Sequence, residues 1–498
     1  MNQKKEYLDR CVELAAEAYQ FLKNSTVKDR AAFMYAVADK IEKLGPELIE
    51  TANQESALPF PRLEGEKGRT IGQWRSYADA ITTGLYTEAR IDLANPEKGK
   101  NDIRKYSIGI GPVVVFGASN FPFAFSTAGG DTASAIAAGC PVIVKGHSGH
   151  QKTSSIMAAV ILETVQEFGW PEGVFGHVLG NEVEGTNTKI GAYLVGHELI
   201  KAVGFTGSYW GGKSLFDIAN QRKEPIPVFA EMGSINPVFA FSHILEENPE
   251  QLAKDYAASL TLGVGQFCTN PGLFIAVKGD GLNKFKKALQ EAVIGISPAK
   301  MLNQGIYDHF EKNKSLLSNQ PSVEVLSESN TLAENGQGRP TVVHTNAKNF
   351  LENEILSEEV FGPFGLLIEA DTYEEVEKIA KELNGQLTIT FAGTSADVKE
   401  HLNIFNIIKD KAGRLLFNGM PTGVEVVYAM QHGGPFPSST DPRFTSVGPD
   451  SVKRFVRPLS FQNWPNEFLP EELKNENTLG IQRIVNGSST QNPINSQS

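Results

Sequence analysis

Residues 113–145 read VVVFGASNFPFAFSTAGGDTASAIAAGCPVIVK, and this stretch decides the fold. Its first four residues form an unbroken apolar run, too short for a helix and typical of a strand buried on both faces. Gly117 and the turn residues after it end that run. Residues 133–138 are small and helix-compatible, and VIVK at 142–145 returns as a second buried strand. Strand, helix and strand within about thirty residues make a parallel unit with a right-handed crossover.

The alternation continues downstream. Helical periodicity covers 153–168, strands are predicted at 174–179 and 202–205, and a helix follows near Gly211. A second alternating block runs from about Pro227 to Tyr428, with VFAFS, LFIAVK, GLLIEAD and RLLFNG as strands and 285–294 as a helix. The first hundred residues are mostly helical, with helices predicted over 8–22 and 29–44 and a polar turn at 95–102. Proline and glycine crowd 433–449, and the polar stretch 486–498 (NGSSTQNPINSQS) is predicted to be disordered. The class is therefore α/β, and ligands in such folds bind beyond the carboxyl ends of the parallel strands.

The chain has 498 residues, enough for about three domains, with 41% hydrophobic and 21% charged residues. A net charge of −12 without a basic block argues against nucleic-acid binding. Three scattered cysteines (Cys11, Cys140 and Cys268) fit neither a disulfide framework nor a structural zinc site, so no metal is expected. MNQKKEYLDR lacks the apolar core of a signal peptide, and no apolar run approaches the roughly 20 residues that span a bilayer. A cytoplasmic protein with no membrane association is expected.

Residues 207–214 match the phosphate-loop pattern G-x-x-x-x-G-K-S, ending in Lys213 and Ser214. A magnesium-binding aspartate closing another apolar strand is missing. Taken alone, the segment leaves three readings open: a nucleotide triphosphatase, a dinucleotide site, or a plain turn. Cys268, in GQFCT, stands among Gly263, Gly265 and a Pro-Gly turn that allow a ligand close to the backbone. Glu231 ends an apolar run beside Gly233, where a carboxylate is placed for base chemistry. Asn120 follows the first buried strand, where its amide is able to donate to developing negative charge.

Six motifs in order then resemble the aldehyde dehydrogenase superfamily over residues 10–470. They are ASNFPF, VIVK, GFTGS, AEMGSINP, GQFCTNPG and EEVFGPF, with Glu231 and Cys268 37 residues apart and Cys268 and Glu359 91 apart. The segments around 116–150, FNGMPTGVEV and HGGPFPSSTDPRFTSVG resemble the NADP-linked branch holding 2-oxoglutarate semialdehyde dehydrogenases and bacterial fatty aldehyde dehydrogenases. The resemblance demotes the triphosphatase reading. It implies Cys268 as nucleophile, Asn120 and the Cys268 N–H as oxyanion donors, and Glu231 as the base that activates water. His432 matches a histidine of this branch, placed to tune the thiol. Cofactor contacts are implied for Lys145, His147, Thr153, Gly207, Ser208, Gly212 and Glu359. Lys145 is followed by Gly146-His147-Ser148 and not by the glutamate that many NAD-preferring members use, so NADP is expected, with NAD possible.

For the aldehyde, Phe123 and Phe267 are candidate lining residues, alongside Phe121 and Phe125. Arg69, Gln73 and Arg75, at helical spacing, resemble a segment of the semialdehyde enzymes, with Arg75 as the candidate carboxylate partner. The resemblance favours 2-oxoglutarate semialdehyde, with a long-chain fatty aldehyde as the alternative. It further implies a Rossmann-type NAD(P)-binding domain (1–94 and 111–228), a catalytic domain (229–429) and a small oligomerisation sheet from 95–110 and 430–485. A homodimer or homotetramer is expected.

Overall fold

A computed structural model describes residues 2–494. Three sheets organise it. The first has five parallel strands in the spatial order Phe175–Val178, Val142–Lys145, Val113–Phe116, Ala202–Thr206, Val228–Glu231. Strand Val113–Phe116 is wholly buried, as its unbroken apolar run requires. The chain runs outward from it in one direction and then crosses to its other side. This reversal opens a crevice at the carboxyl ends, where Phe116, Lys145, Thr206 and Glu231 stand.

The second sheet has seven strands, in the order Glu324–Glu328, Thr341–Asn346, Phe364–Ala370, Leu273–Val277, Val238–Ala240, Gln386–Ala392, Ala412–Phe417. Only its first pair is antiparallel. The third sheet orders Val456–Gln462, Ile103–Gly109, Arg90–Asp92, Arg483–Val485 and Ser488–Thr490. It takes in Arg90–Asp92, which the sequence reading leaves with the cofactor-binding part. Residues 430–455 do not join it. They pack across the first sheet, where Thr440 donates its N–H to the Ala230 carbonyl at 3.1 Å and Arg454 pairs with Asp131 at 2.7 Å.

The predicted disorder of 486–498 needs correction over the part the structure describes. Ser488–Thr490 forms an antiparallel hairpin with Arg483–Val485 through a turn at Asn486 and Gly487, both at positive φ. The polar composition suits an exposed hairpin as well as a coil, and composition alone does not separate the two. Residues 495–498 lie outside the described residues.

Candidate active site

Cys268 sits in the loop between helix Pro249–Thr261 and strand Leu273–Val277. Just before it, Gly263, Val264 and Gly265 adopt left-handed backbone at φ 57°, 60° and 65°. A Cβ on Gly265 would lie 2.2 Å from the Gly362 carbonyl oxygen, so conformation and space both demand glycine there. The loop is anchored from beneath. The Asn236 side-chain amide reaches the carbonyls of Cys268 (2.9 Å), Asn270 (3.0 Å) and Ser234 (3.1 Å). Gln386 Oε1 accepts from Ser234 Oγ and from the N–H groups of Ile235 and Asn236. This buried network ties the segment leaving Glu231 to the cysteine loop, fixing the first sheet against the second.

Three chemically active groups meet there. Cys268 Sγ lies 3.5 Å from His432 Nε2, and the same nitrogen lies 2.9 Å from Glu231 Oε1. Ser446 Oγ donates to Glu231 Oε2 at 2.5 Å. His432 is held by its own backbone, which donates to Thr445 Oγ1 (2.9 Å) and accepts from the Ser446 N–H (2.8 Å). Burial, and then the charge and hydrogen bond of Glu231, push the Cys268 thiol well above its ordinary range. Burial also works to raise Glu231, but the His432 ring and the Ser446 and Cys268 hydrogen bonds outweigh it and hold the carboxyl below its usual value. The resting proton therefore sits on sulfur, with a carboxylate beside it as acceptor.

Asn120 follows strand Val113–Phe116 and donates through Nδ2 to the Gln266 carbonyl at 3.0 Å, two residues before the cysteine. The Cys268 N–H donates to no group among the described residues. Above these donors comes one face of helix Phe60–Thr82. Arg62 donates to the Asn120 carbonyl (2.8 Å), and its guanidinium lies 4.5 Å from the rings of both Phe121 and Phe267. Arg69 lies 5.4 Å from the Phe125 ring and donates to the Val424 carbonyl. Cys268 is within electrostatic reach of both arginines and of Arg414. Several buried polar atoms on this helix face have no partner among the described residues: Arg62 Nη1, Glu66 Oε2, Arg69 Nε and Nη2, and both amide atoms of Gln73. Native interiors rarely leave such groups unpaired away from a ligand or water site.

The remaining predicted residues divide. At the carboxyl ends, Lys145 is half-buried, and burial lowers its pKa; it forms no ion pair among the described residues. His147 stacks on His150, and burial drives it down to about 3, so it is neutral. Its Nδ1 accepts the Gly149 N–H (3.0 Å), which leaves Nε2 as a donor. Ser208 caps helix Tyr209–Gln221 through the Gly211 N–H, with Gly207 just before it. Glu359 lies against Gly233; burial raises its carboxyl to about 7 despite a hydrogen bond from the Ser234 backbone.

Several sequence expectations need correction. The N–H and hydroxyl of Thr153 both go to Glu55, which also accepts the Lys152 N–H, so Thr153 has no free donor. Gly212 faces the sheet: a Cβ there would meet Met232 Sδ at 2.7 Å, which makes it a packing glycine. Lys213, the lure of the phosphate-loop pattern, is bound by Asp217 one turn on, at 2.6 Å. Phe123 is fully buried in the core and lines no access path. Arg75 bonds Asp39 and Glu42 on the outer surface. Six residues after Arg69 places it roughly 240° round the helix, so spacing excludes it from the arginine face. Sequence reasoning missed Arg62, Glu66, Asn236, Gln386 and Ser446. Arg62 and Glu66 were findable by extending the four-and-three spacing upstream from Arg69; the others carried no local signal.

The pattern that defines the aldehyde dehydrogenase family matches residues 1–458. The alpha-ketoglutaric semialdehyde dehydrogenase 2 of Azospirillum brasilense is 44% identical over 483 residues, 96% of this chain and 91% of that protein. The alpha-ketoglutaric semialdehyde dehydrogenase of Acinetobacter baylyi is 43% identical over 492 residues, covering 97% and 92%. Among solved structures, the betaine aldehyde dehydrogenase of Staphylococcus aureus superposes with a TM-score of 0.77 at 18% identity, over 93% of this chain and 89% of that one.

Proposed function

The chain belongs to the aldehyde dehydrogenase family, and from that premise we propose that it oxidises 2-oxoglutarate semialdehyde to 2-oxoglutarate with NADP. The observation that carries the substrate is the arginine face. Arg62 and Arg69 bring unpaired guanidinium N–H groups to the neighbourhood of Cys268. A substrate with a carboxylate and an oxo group pairs these donors; an alkyl chain leaves them unpaired.

When bound, the nicotinamide supplies the hydride acceptor. The chain's own groups do the rest. Cys268 passes its proton toward Glu231 and adds to the aldehyde carbon. The carbonyl oxygen then faces the Cys268 N–H and the Asn120 amide, where the loss of one donor costs about 3 kcal/mol. Glu231 first gives up the thiol proton to solvent, and the acyl group held on sulfur is then released by a water whose proton Glu231 accepts. His432, in contact with both, holds the carboxylate oxygen and the sulfur in one arrangement.

The cofactor-facing residues suit a dinucleotide. The Tyr209–Gln221 N-terminus and Gly207 favour a pyrophosphate, and Glu359 beside Gly233 suits a ribose. NADP is favoured because Lys145 is an unpaired cation, His147 offers Nε2–H, and Glu55 is engaged by the Lys152 and Thr153 N–H groups and the Thr153 hydroxyl. Homo-oligomerisation is favoured by open sheet edges, among them Ala412–Phe417 and Val456–Gln462.

The deciding experiment compares kcat/KM on 2-oxoglutarate semialdehyde, succinate semialdehyde and a C10 aldehyde, with NADP and NAD. The 2-oxo semialdehyde is expected to be best, with its KM raised at least tenfold in Arg69→Leu. A C10 aldehyde as the best substrate overturns the assignment. Comparable efficiency with NAD overturns the cofactor choice.

A further inference from the structure

We propose that Cys268, His432 and Glu231 together form a zinc-binding site, at which the ion captures the thiol and holds the protein in a reversibly silenced state. Their ligand atoms, Sγ, Nε2 and a carboxylate oxygen, all lie within 4.8 Å of one another. Thiolate, imidazole and carboxylate are the donor types zinc prefers, and three protein ligands with one open position is its common arrangement at reactive sites.

Distances support the ion. Zinc–sulfur and zinc–nitrogen bonds of about 2.3 and 2.05 Å at a tetrahedral angle separate S from N by roughly 3.5 Å. The Sγ···Nε2 separation is 3.5 Å. The corresponding N···O separation is roughly 3.3 Å, against 2.9 Å here, and the sulfur and the Glu231 oxygen lie within 4.8 Å. A second observation points the same way. Glu231 is 3% exposed, so little solvent competes with an ion for its Oε1, which faces the ring nitrogen at 2.9 Å.

Charge closes the argument. Zinc displaces the thiol proton to solvent, so a sulfur–zinc bond forms as the S–H bond breaks. The ion's two positive charges are then matched by one thiolate and one carboxylate, with the imidazole neutral, and the buried assembly carries no net charge. Magnesium and calcium demand all-oxygen shells and do not suit this set. Cys268 as a residue is only partly buried. The proposal goes beyond the oxidation reading and does not depend on it, because its readouts are metal content, spectrum and thiol protection.

The test uses the reduced, metal-free full-length protein. Equilibrium dialysis against zinc is expected to give one ion per chain. Cobalt as a probe is expected to give an intense near-ultraviolet sulfur-to-metal band with the visible bands of four-coordination. Zinc is expected to slow iodoacetamide labelling of Cys268 at least tenfold, with recovery on adding EDTA. Cys268→Ser is expected to remove the charge-transfer band, and His432→Ala to weaken zinc binding at least tenfold with far-UV circular dichroism unchanged. Full zinc affinity in Cys268→Ser, or a wild-type cobalt complex without the sulfur band, overturns the site. If His432→Ala misfolds, Cys268→Ser and the labelling protection still decide.

Discussion

The proton between Cys268 and Glu231 sets the pH at which the thiol reacts. After burial, the Glu231 charge is the main influence that keeps the thiol protonated. Replacing Glu231 with Gln removes that charge and moves the thiol's pKa down. In the protein without cofactor, the midpoint of iodoacetamide labelling against pH is therefore expected to fall in Glu231→Gln, while release of the acyl group slows at least a hundredfold for want of a base. An unmoved labelling midpoint refutes the coupling. Glu66 behaves differently. It is 4% exposed, and burial raises its carboxyl to about 7 against the opposing pull of Arg62 and two backbone N–H donors. A raised carboxyl favours the protonated folded form, so its contribution to stability is complete below about pH 4.5 and fades as pH rises through 7. Glu66→Gln keeps an acceptor for the Phe123 and Ala124 N–H groups and carries no charge. Its unfolding temperature is expected to match or exceed wild type at pH 8, with the pH 5 to pH 8 decline flattened; a steeper decline refutes the raised carboxyl.

Helix Gly130–Ala137 is the element whose attachment holds the Asn120 loop to residues 430–455. Its link is the buried pair Asp131–Arg454, at 2.7 Å, with side chains 10% and 3% exposed. Breaking one side of such a pair leaves a buried charge unmatched and costs about 3–5 kcal/mol, far more than a surface pair. Asp131→Ala is expected to lower the unfolding free energy from urea titration by that amount, and Arg454→Met in the same chain to recover part of the loss. Additive losses in the double variant would show that the two side chains do not stabilise each other. Legibility also divides by element. VVVF and VIVK announced themselves because parallel strands buried on both faces read as continuous apolar runs. Strand Gln386–Ala392 (QLTITFA) is equally buried but unannounced, because its threonines are satisfied inside, Thr388 by Asn236 and Thr390 by the Gly419 carbonyl. The same holds at the candidate site. Cys268, Glu231 and Asn120 stand at strand ends or turns beside glycine, where position speaks. Arg62 and Glu66 sit on a helix whose charges look solvated until tertiary packing covers them.

At the scale of the whole molecule, each open sheet ends in strands that have a neighbour on one side only. Ala412–Phe417 closes the second sheet, and Val456–Gln462 closes the third. Such edges present unpaired backbone groups that invite another strand unless they are charged, short or covered. Here the borders are aromatic: Phe417 is 56% exposed, Trp464 52% and Phe468 66%. Apolar borders on open edges fit pairing between copies of the chain better than solvation. Sedimentation velocity is expected to show a dimer or a larger even assembly. Phe417→Asp puts a charge on the edge strand without touching Cys268, Glu231 or His432, and is expected to shift the protein to monomer. Because the Ala412–Phe417 strand leads through Asn418–Met430 toward His432, the monomer is also expected to lose part of its activity. A wild-type monomer at all concentrations, or an unchanged assembly in Phe417→Asp, excludes this edge as the contact.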